Sequence, residues 1–238
     1  GLGIAFAALK KGYKVIFVVP TNFSQEKQTL MKALGAEIVN TPREEGMLGA
    51  EKKAEEIRAS IEGAVTLGQF HNPTNPLAHY KTTGPEIFNQ LDGHIDYFVA
   101  GAGSGGTYSG IMRYLKERDS AIQGVLADPI GSTMGGGEHG DYNIEGIGND
   151  FIPDTMDIKL VDKVIKVTDA QAFVSSRELA RKEGILAGSS SGAAFSAAKL
   201  LAQELAQNGA FEKAGRSINI VTLFPDRGDR YFSKKLYE

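Results

Sequence analysis

The chain opens on "GLGIAFAALKKG", whose apolar spacing predicts a helix over residues 2–11 that ends at Gly12. The continuous, β-branched run "KVIFVVP" predicts a short strand buried on both faces. In "SQEKQTLMKALG" the pattern predicts a helix with Ser24 as N-cap, Glu26 in its first turn and Gly35 just past its end. "AEIVNT" predicts the next strand, and residues 46–60 the next helix, with Met47, Ala50, Ala54, Ile57 and Ile61 along one face. The alternation continues with a strand in "AVTLGQF", a helix over 76–91, a strand in "IDYFVAG", a helix ending near Arg118 and a strand in "IQGVLAD". It stops at residues 129–157, which are glycine-rich and without periodicity, as in loops that serve function or move. It resumes with a strand in "LVDKVIKVT" and a helix over 168–183, whose Thr168 and Gln171 form a capping box. "GILAGSSSG" then leads into a small-residue helix ending near Ala206, and "SINIVTLF" predicts a last strand. Strand and helix in regular alternation predict a parallel α/β fold.

Composition narrows the chemistry. At 238 residues and 42% hydrophobic, the chain can bury a substantial core and build two lobes. Its net charge of −3, with no basic run longer than a pair, excludes a nucleic-acid partner and favours small molecules. With no cysteine there is no disulfide, thiolate metal site or cysteine nucleophile. His71, His79, His94 and His139 lack metal-ligand spacing, so each is expected as a surface or loop residue and no metal site is assigned. No apolar run approaches the roughly 18 residues of a membrane span, and no signal-peptide pattern opens the chain. A cytoplasmic location is expected. The first residues read like the inside of a domain, so the natural protein is expected to begin earlier.

The densest chemical signal is "VAGAGSGGTYSG", Val99 to Gly110. A strand end, a glycine turn and a helix N-terminus place unpaired N–H groups and a positive helix end at one spot, where an anion binds. Glycines let the backbone approach an oxygen closely. Gly101, Gly103 and Gly106 fit the dinucleotide fingerprint, with Asp128 about twenty residues on as the ribose-binding acid. That gives one reading, a dinucleotide-dependent oxidoreductase built on Gly101–Gly106 and Asp128. Against it, Ser104 and Thr107 add two hydroxyl donors, which suit a terminal phosphate with three free oxygens better than a bridging pyrophosphate. A strand-to-helix turn that binds nothing is the third reading.

"GSGGT", Gly103 to Thr107, resembles the phosphate-binding loop of the fold-type II pyridoxal-phosphate enzymes, the group of cysteine synthase and cystathionine β-synthase. Four further segments agree in order and spacing: "GQFHNPTNPLAHYKTTGPEI", "EGIGNDFIP", "EGILAGSSSGAA" and "FPDRGDRYFS". The resemblance implies two three-layer α/β/α lobes around mostly parallel sheets, as in the tryptophan synthase β-subunit. A smaller substrate-side lobe would span 1–71 and a larger cofactor-binding lobe 72–238. It implies pyridoxal 5'-phosphate as cofactor, its phosphate held by Gly103, Ser104, Gly105, Gly106 and Thr107, and its pyridine nitrogen bonded by Ser190; read by residue type alone, "SSSG" is an N-cap cluster for the helix that follows, in which Ser191 is expected to cap. Gln69 would hold the substrate near its carboxylate, and Gly146 would belong to the segment that closes over it. "EGIGNDFIP" resembles the cystathionine synthase version of this segment, so that Glu145 would receive the ammonium of homocysteine. Asp128 is then only a strand-end residue.

The implied reaction is β-replacement on O-acetylserine, or serine, through an aminoacrylate that homocysteine converts to cystathionine or sulfide to cysteine, in a homodimer. A neutral hydroxyl at the ring nitrogen makes a weaker electron sink than a carboxylate would, which favours direct loss of the β-substituent. The opening "GLGIA" resembles the continuation of the family's substrate loop. The family's Schiff-base lysine belongs to an N-terminal segment that nothing here matches. Lys81, on a helix face, is expected to be an ordinary solvated lysine. No catalytic residue is therefore assigned, and the chain alone is expected to be inactive. Borohydride reduction of the chain with pyridoxal phosphate is expected to leave no single lysine labelled one-to-one; mass-spectrometric detection of such a label would overturn this.

Overall fold

Short apolar runs become strands where a neighbouring strand is there to pair with them. The computed structural model describes all 238 residues. The first of its two units holds Gly1–Leu67 with Asp229–Leu236 and Glu238; the second holds Gly68–Gly228 with Tyr237. The division thus follows Leu67, where the sequence reading places it after residue 71, and the C-terminal segment returns to the first unit. In the first unit α1 (Leu2–Ala8), β1 (Ile16–Pro20), α2 (Gln25–Ala33), β2 (Glu37–Thr41) and α3 (Gly46–Ser60) follow in order. β1 and β2 pair in parallel, from Ile16 opposite Glu37 to Pro20 opposite Thr41. Ser24 caps α2, accepting from the Lys27 amide at 3.2 Å, and Gly35 closes it at φ +86°. The returning segment docks on this cap: Ser24 Oγ donates to the Arg230 carbonyl, and Glu26 accepts from the Ser233 amide and hydroxyl at 2.6 and 2.7 Å.

Four expectations need correction. α1 stops at Ala8, short of Gly12. On α3 only Ala50 of the expected apolar face is buried, and Ile61, just past the helix, is 41% exposed. "AVTLGQF" forms no strand; Val65 is 81% exposed and the backbone turns at Gly68, whose carbonyl accepts from His71 and Asn72. The helix expected over 76–91 is two helices, α4 (Thr74–Lys81) and α5 (Thr83–Gln90), broken at Thr82. Pro85 has no N–H to bond the Lys81 carbonyl, so the ladder is interrupted there.

The second unit continues with β3 (Tyr97–Gly101), α6 (Gly106–Arg118), β4 (Gln123–Pro129), β5 (Lys163–Val167), α7 (Asp169–Glu178), α8 (Ser189–Gln207), α9 (Ala210–Ala214) and β6 (Ile220–Thr222). Its parallel sheet has the order β5-β4-β3-β6. Alternate residues face opposite sides, as the two-residue period of a strand dictates. Phe98, Ala100 and Leu126 pack on Tyr108, Ile111, Met112 and Leu115 of α6. Val99, Val125 and Ala127 pack on Ala172 of α7 and on Ala193, Ala197 and Leu201 of α8. This is the expected three-layer α/β/α arrangement. Ile111, Leu115, Val125 and Leu126 are fully buried, each stabilising the layer stack by about 1.5–3 kcal/mol. Thr168 and Gln171 make both halves of the capping box. Helix α9 was not anticipated, and α7 ends in a wider π turn over Leu179–Glu183 closed by Gly184 at φ +68°.

Two contacts set the helices beside the sheet. At the α4–α6 crossing, a Cβ on Gly110 would overlap the Pro76 carbonyl and sit 2.8 Å from His79 Cβ. Gly110→Ala is expected to cost about 1–3 kcal/mol, read as a lower urea midpoint at unchanged slope; an unchanged midpoint would show that the helices can part. Between α7 and α8, the Lys199 ammonium, and Lys182 after it, hold the Glu178 carboxyl at about 2, below its ordinary 4.5. A depressed carboxyl contributes stability above about pH 4.5 and loses it as pH falls toward 2. Glu178→Gln is expected to flatten the acid limb of the stability profile over that window, and identical limbs would refute the pairing.

Candidate functional site

β3 leads into a turn that requires glycine at one point: Gly105, the N-cap of α6, lies at φ +80°, and a Cβ there would lie 2.4 Å from Met156 Cβ. No side chain caps α6 and no acid lies in its first turn, so its leading N–H groups remain available to an anion. Helix α8 likewise starts at Gly188 with no side-chain cap and no first-turn acid. Residues of both helix starts line one cavity of about 130 Å³. Gly103, Ser104, Gly105, Thr107, Gly146 and Ser190 line it, so six of the sequence-assigned residues come together there. Ala100, Gly101, Ala102, Tyr108, Ile147, Ala194, Leu223 and Pro225 complete the wall. No lining residue carries a carboxylate. Tyr108 is fully buried, and that burial pushes its phenol far up, so it stays protonated.

Three assigned residues stand outside this lining. Gly106 makes room behind the loop, since a Cβ there would overlap the Asn75 side chain. Gln69 is exposed, and its backbone carbonyl accepts from Asn75 Nδ2 at 2.8 Å. Glu145 precedes Gly146, and its amide donates to Ser189 Oγ at 3.0 Å. Ser191 does not cap α8: its hydroxyl is buried without a partner, and Gly188 occupies the N-cap. The reason is geometric, since Ser191 already lies inside the first turn. Ser190 is 4% exposed, and a Cβ on Gly146 would lie 3.9 Å from its Oγ.

The long 129–157 segment reaches the cavity because it is bonded along its length. Asp169 accepts from the Asn143 amide at 2.8 Å and the Ile144 amide at 3.1 Å. Ser132 Oγ donates to the Asn149 carbonyl at 3.0 Å, and Asn149 Nδ2 donates to the Gly103 carbonyl at 2.6 Å. The Gly148 amide donates to Ala102 at 2.8 Å, and Thr155 Oγ1 to the Ser104 carbonyl. Gly146 meets the glycine turn so closely that a Cβ on Gly103 would lie 2.5 Å from its carbonyl oxygen.

Asp128 has another occupation than the dinucleotide reading requires. It is 1% exposed, accepts from Lys166 Nζ at 2.6 Å and from the Gly135 amide at 3.0 Å, and so anchors the start of this segment. A ribose would have to displace a buried ion pair, and the oxidoreductase reading is withdrawn.

Sequence reasoning missed the residues behind the loop. Asn75 Nδ2 donates to Ser104 Oγ at 2.9 Å, and His79 Nε2 lies 3.0 Å from Thr107 Oγ1. His79, expected at the surface, is half-buried on α4 with its Nδ1 2.9 Å from Thr83 Oγ1. That burial lowers its pKa and keeps the ring neutral. The available signal was their i, i+4 spacing in "NPLAH", which puts both on one helix face. His71 and His94 are exposed as expected, His71 beside Asp154 at 2.8 Å, and Lys81 is exposed as well.

A lining that combines glycine backbone and hydroxyl side chains with the apolar Ile147, Ala194, Leu223 and Pro225, and holds no carboxylate, fits a phosphate joined to a flat ring. Comparison with known proteins agrees. Residues 1–226 match the family described as pyridoxal-phosphate dependent enzyme. Over its full length the chain is 50% identical to the O-acetylserine dependent cystathionine beta-synthase of Bacillus subtilis, covering 75% of that protein. It is 46% identical to a cysteine synthase of Helicobacter pylori, again over the full chain and 74% of the relative. A crystal structure of O-acetylserine dependent cystathionine beta-synthase from Helicobacter pylori superposes with a TM-score of 0.91 at 46% identity, over 99% of this chain and 74% of that one. The chain belongs to the family of pyridoxal-phosphate dependent enzymes.

Proposed function

We propose that the chain is the cofactor-cradling part of an enzyme that catalyses β-replacement on O-acetylserine, in preference to serine, with homocysteine giving cystathionine and sulfide giving cysteine; the Schiff-base lysine has to come from the family's N-terminal segment. The observation that carries this reading is the meeting of two uncapped helix starts on one carboxylate-free cavity with Ser190 in its wall, in a chain half identical to an O-acetylserine dependent cystathionine beta-synthase. Bound pyridoxal phosphate supplies the electron sink for loss of the α-proton and of the β-substituent. The amides of Gly105, Gly106 and Thr107 and the hydroxyls of Ser104 and Thr107 hold the phosphate, with Gly103 shaping the turn. Ser190, a neutral hydroxyl, orients the pyridine nitrogen without holding a proton on it. Gln69 engages the substrate carboxylate, and Gly146 belongs to the segment that closes over the substrate. Glu145 receives the ammonium group of homocysteine, which sulfide lacks. A cytoplasmic homodimer is part of the same reading, and no helix is long and apolar enough to cross a membrane.

With the family's lysine-bearing N-terminal segment joined to the chain and pyridoxal phosphate bound, initial rates are expected to be highest with O-acetylserine and homocysteine; faster turnover of serine than of O-acetylserine would reject the first-substrate assignment. Glu145→Gln is expected to lower kcat/KM for homocysteine about tenfold, the worth of one charge-assisted hydrogen bond, and to leave sulfide within about threefold. Equal losses with both nucleophiles would remove Glu145 from the substrate site.

A further inference from the structure

Ser104 and Thr107 line the cavity, and the hydroxyl of each is already met by a side-chain nitrogen of α4, which does not line it. We propose that Asn75 and His79 are positioning residues of the phosphate site: both donate to these oxygens, so that both hydroxyl protons point at the bound phosphate. The proposal rests on the reading of the cavity as the phosphate site.

A hydroxyl offers one proton and two lone pairs, so a hydroxyl that accepts from behind keeps its proton for a ligand in front. For Ser104 the direction is settled by a second bond. Asn75 Nδ2 also donates to the Gln69 carbonyl at 2.8 Å, and a carbonyl only accepts, so the nitrogen of the amide faces Ser104. For Thr107 the choice lies with the imidazole. Its two nitrogens lie 3.0 Å from Thr107 Oγ1 and 2.9 Å from Thr83 Oγ1, and a neutral ring donates from one and accepts at the other. With the proton on Nε2, His79 donates to Thr107, Thr83 donates to Nδ1, and the Thr107 proton is free. With the proton on Nδ1, the Thr107 proton is spent on Nε2 and a lone pair faces the cavity. A phosphate in the cavity selects the first arrangement. Burial of His79, which disfavours the imidazolium, keeps the choice between these two forms.

The packing of α6 matches this role. Asn75 and His79 are four residues apart on α4, and Gly106 and Gly110 are four apart on α6. A Cβ on Gly106 would overlap Asn75 Oδ1, and one on Gly110 would lie 2.8 Å from His79 Cβ. The two missing side chains of α6 admit the two donors of α4.

The test uses inorganic phosphate as probe and nitrogen-15 NMR of the histidine ring in the wild-type protein. At saturating phosphate His79 is expected in the Nε2–H form; an Nδ1–H ring with phosphate bound would overturn its assigned role. His79→Phe and Asn75→Ala are each expected to weaken phosphate about tenfold, while His79→Gln, which can still donate, recovers most of the loss. In a Thr107→Val background His79→Phe is expected to add little, because the group it orients is gone; full additivity would mean a structural role only. If phosphate leaves the Gly105–Thr107 amides unshifted in the wild type, the phosphate site itself is misplaced and the proposal falls with it. If those amides shift while His79→Phe binds phosphate unchanged, the positioning role alone is refuted.

Discussion

The second unit depends on what happens to the first N–H groups of α6. A helix start leaves several donors without intrahelical partners. Here Gly105 turns the chain through the left-handed region directly before them, and no side chain folds back to satisfy them. The same is true of α8, whose start faces the same cavity. Two positive helix ends with unfilled donors on one small volume create a standing demand for an anion. The sheet holds them there, with β3 feeding α6 directly and α8 packed across the face of β3 and β4.

In keeping with that demand, no residue lining the cavity carries a carboxylate. Asp128, near the end of β4, and Asp169, the first residue of α7, are instead each committed to backbone amides of the long glycine-rich segment. They give an aperiodic stretch fixed anchor points. Ser132, Asn149 and Thr155 then carry the order inward to the carbonyls of Gly103 and Ser104. The result is a loop bonded through its carbonyls to structure on one side, with its amides and hydroxyls left for a ligand on the other. A neutral Ser190 in the same wall is consistent with chemistry in which the cofactor ring is not held protonated.

The parts of this design that could be read from the chain are those whose cause is local. Continuous β-branched runs become strands because each residue of them favours the extended, packed backbone, although β1 buries only Val19 and Pro20 rather than both faces along its length. Ser24, Thr168 and Gln171 cap their helices through bonds reaching three residues at most. Gly103, Ser104 and Thr107 could be read as a candidate anion site because glycine freedom, hydroxyl donors and a helix start occur within one turn, and the structure brings all three to one cavity. "AVTLGQF" has the same local look as a strand yet forms none, since a strand needs a partner edge and the chain turns away at Gly68.

What only the tertiary structure decided lies further apart in sequence. The occupation of Asp128 by Lys166, the exclusion of Ser191 from capping, and the donors Asn75 and His79 behind Ser104 and Thr107 all depend on elements meeting across the unit. The sequence by itself determined the parallel α/β class, the caps and the glycine cradle, because each follows from residues within a turn of one another. The partner of each polar group and the aim of each hydroxyl were decided by packing, because a hydrogen bond between distant residues exists only once the helices that carry them are set side by side.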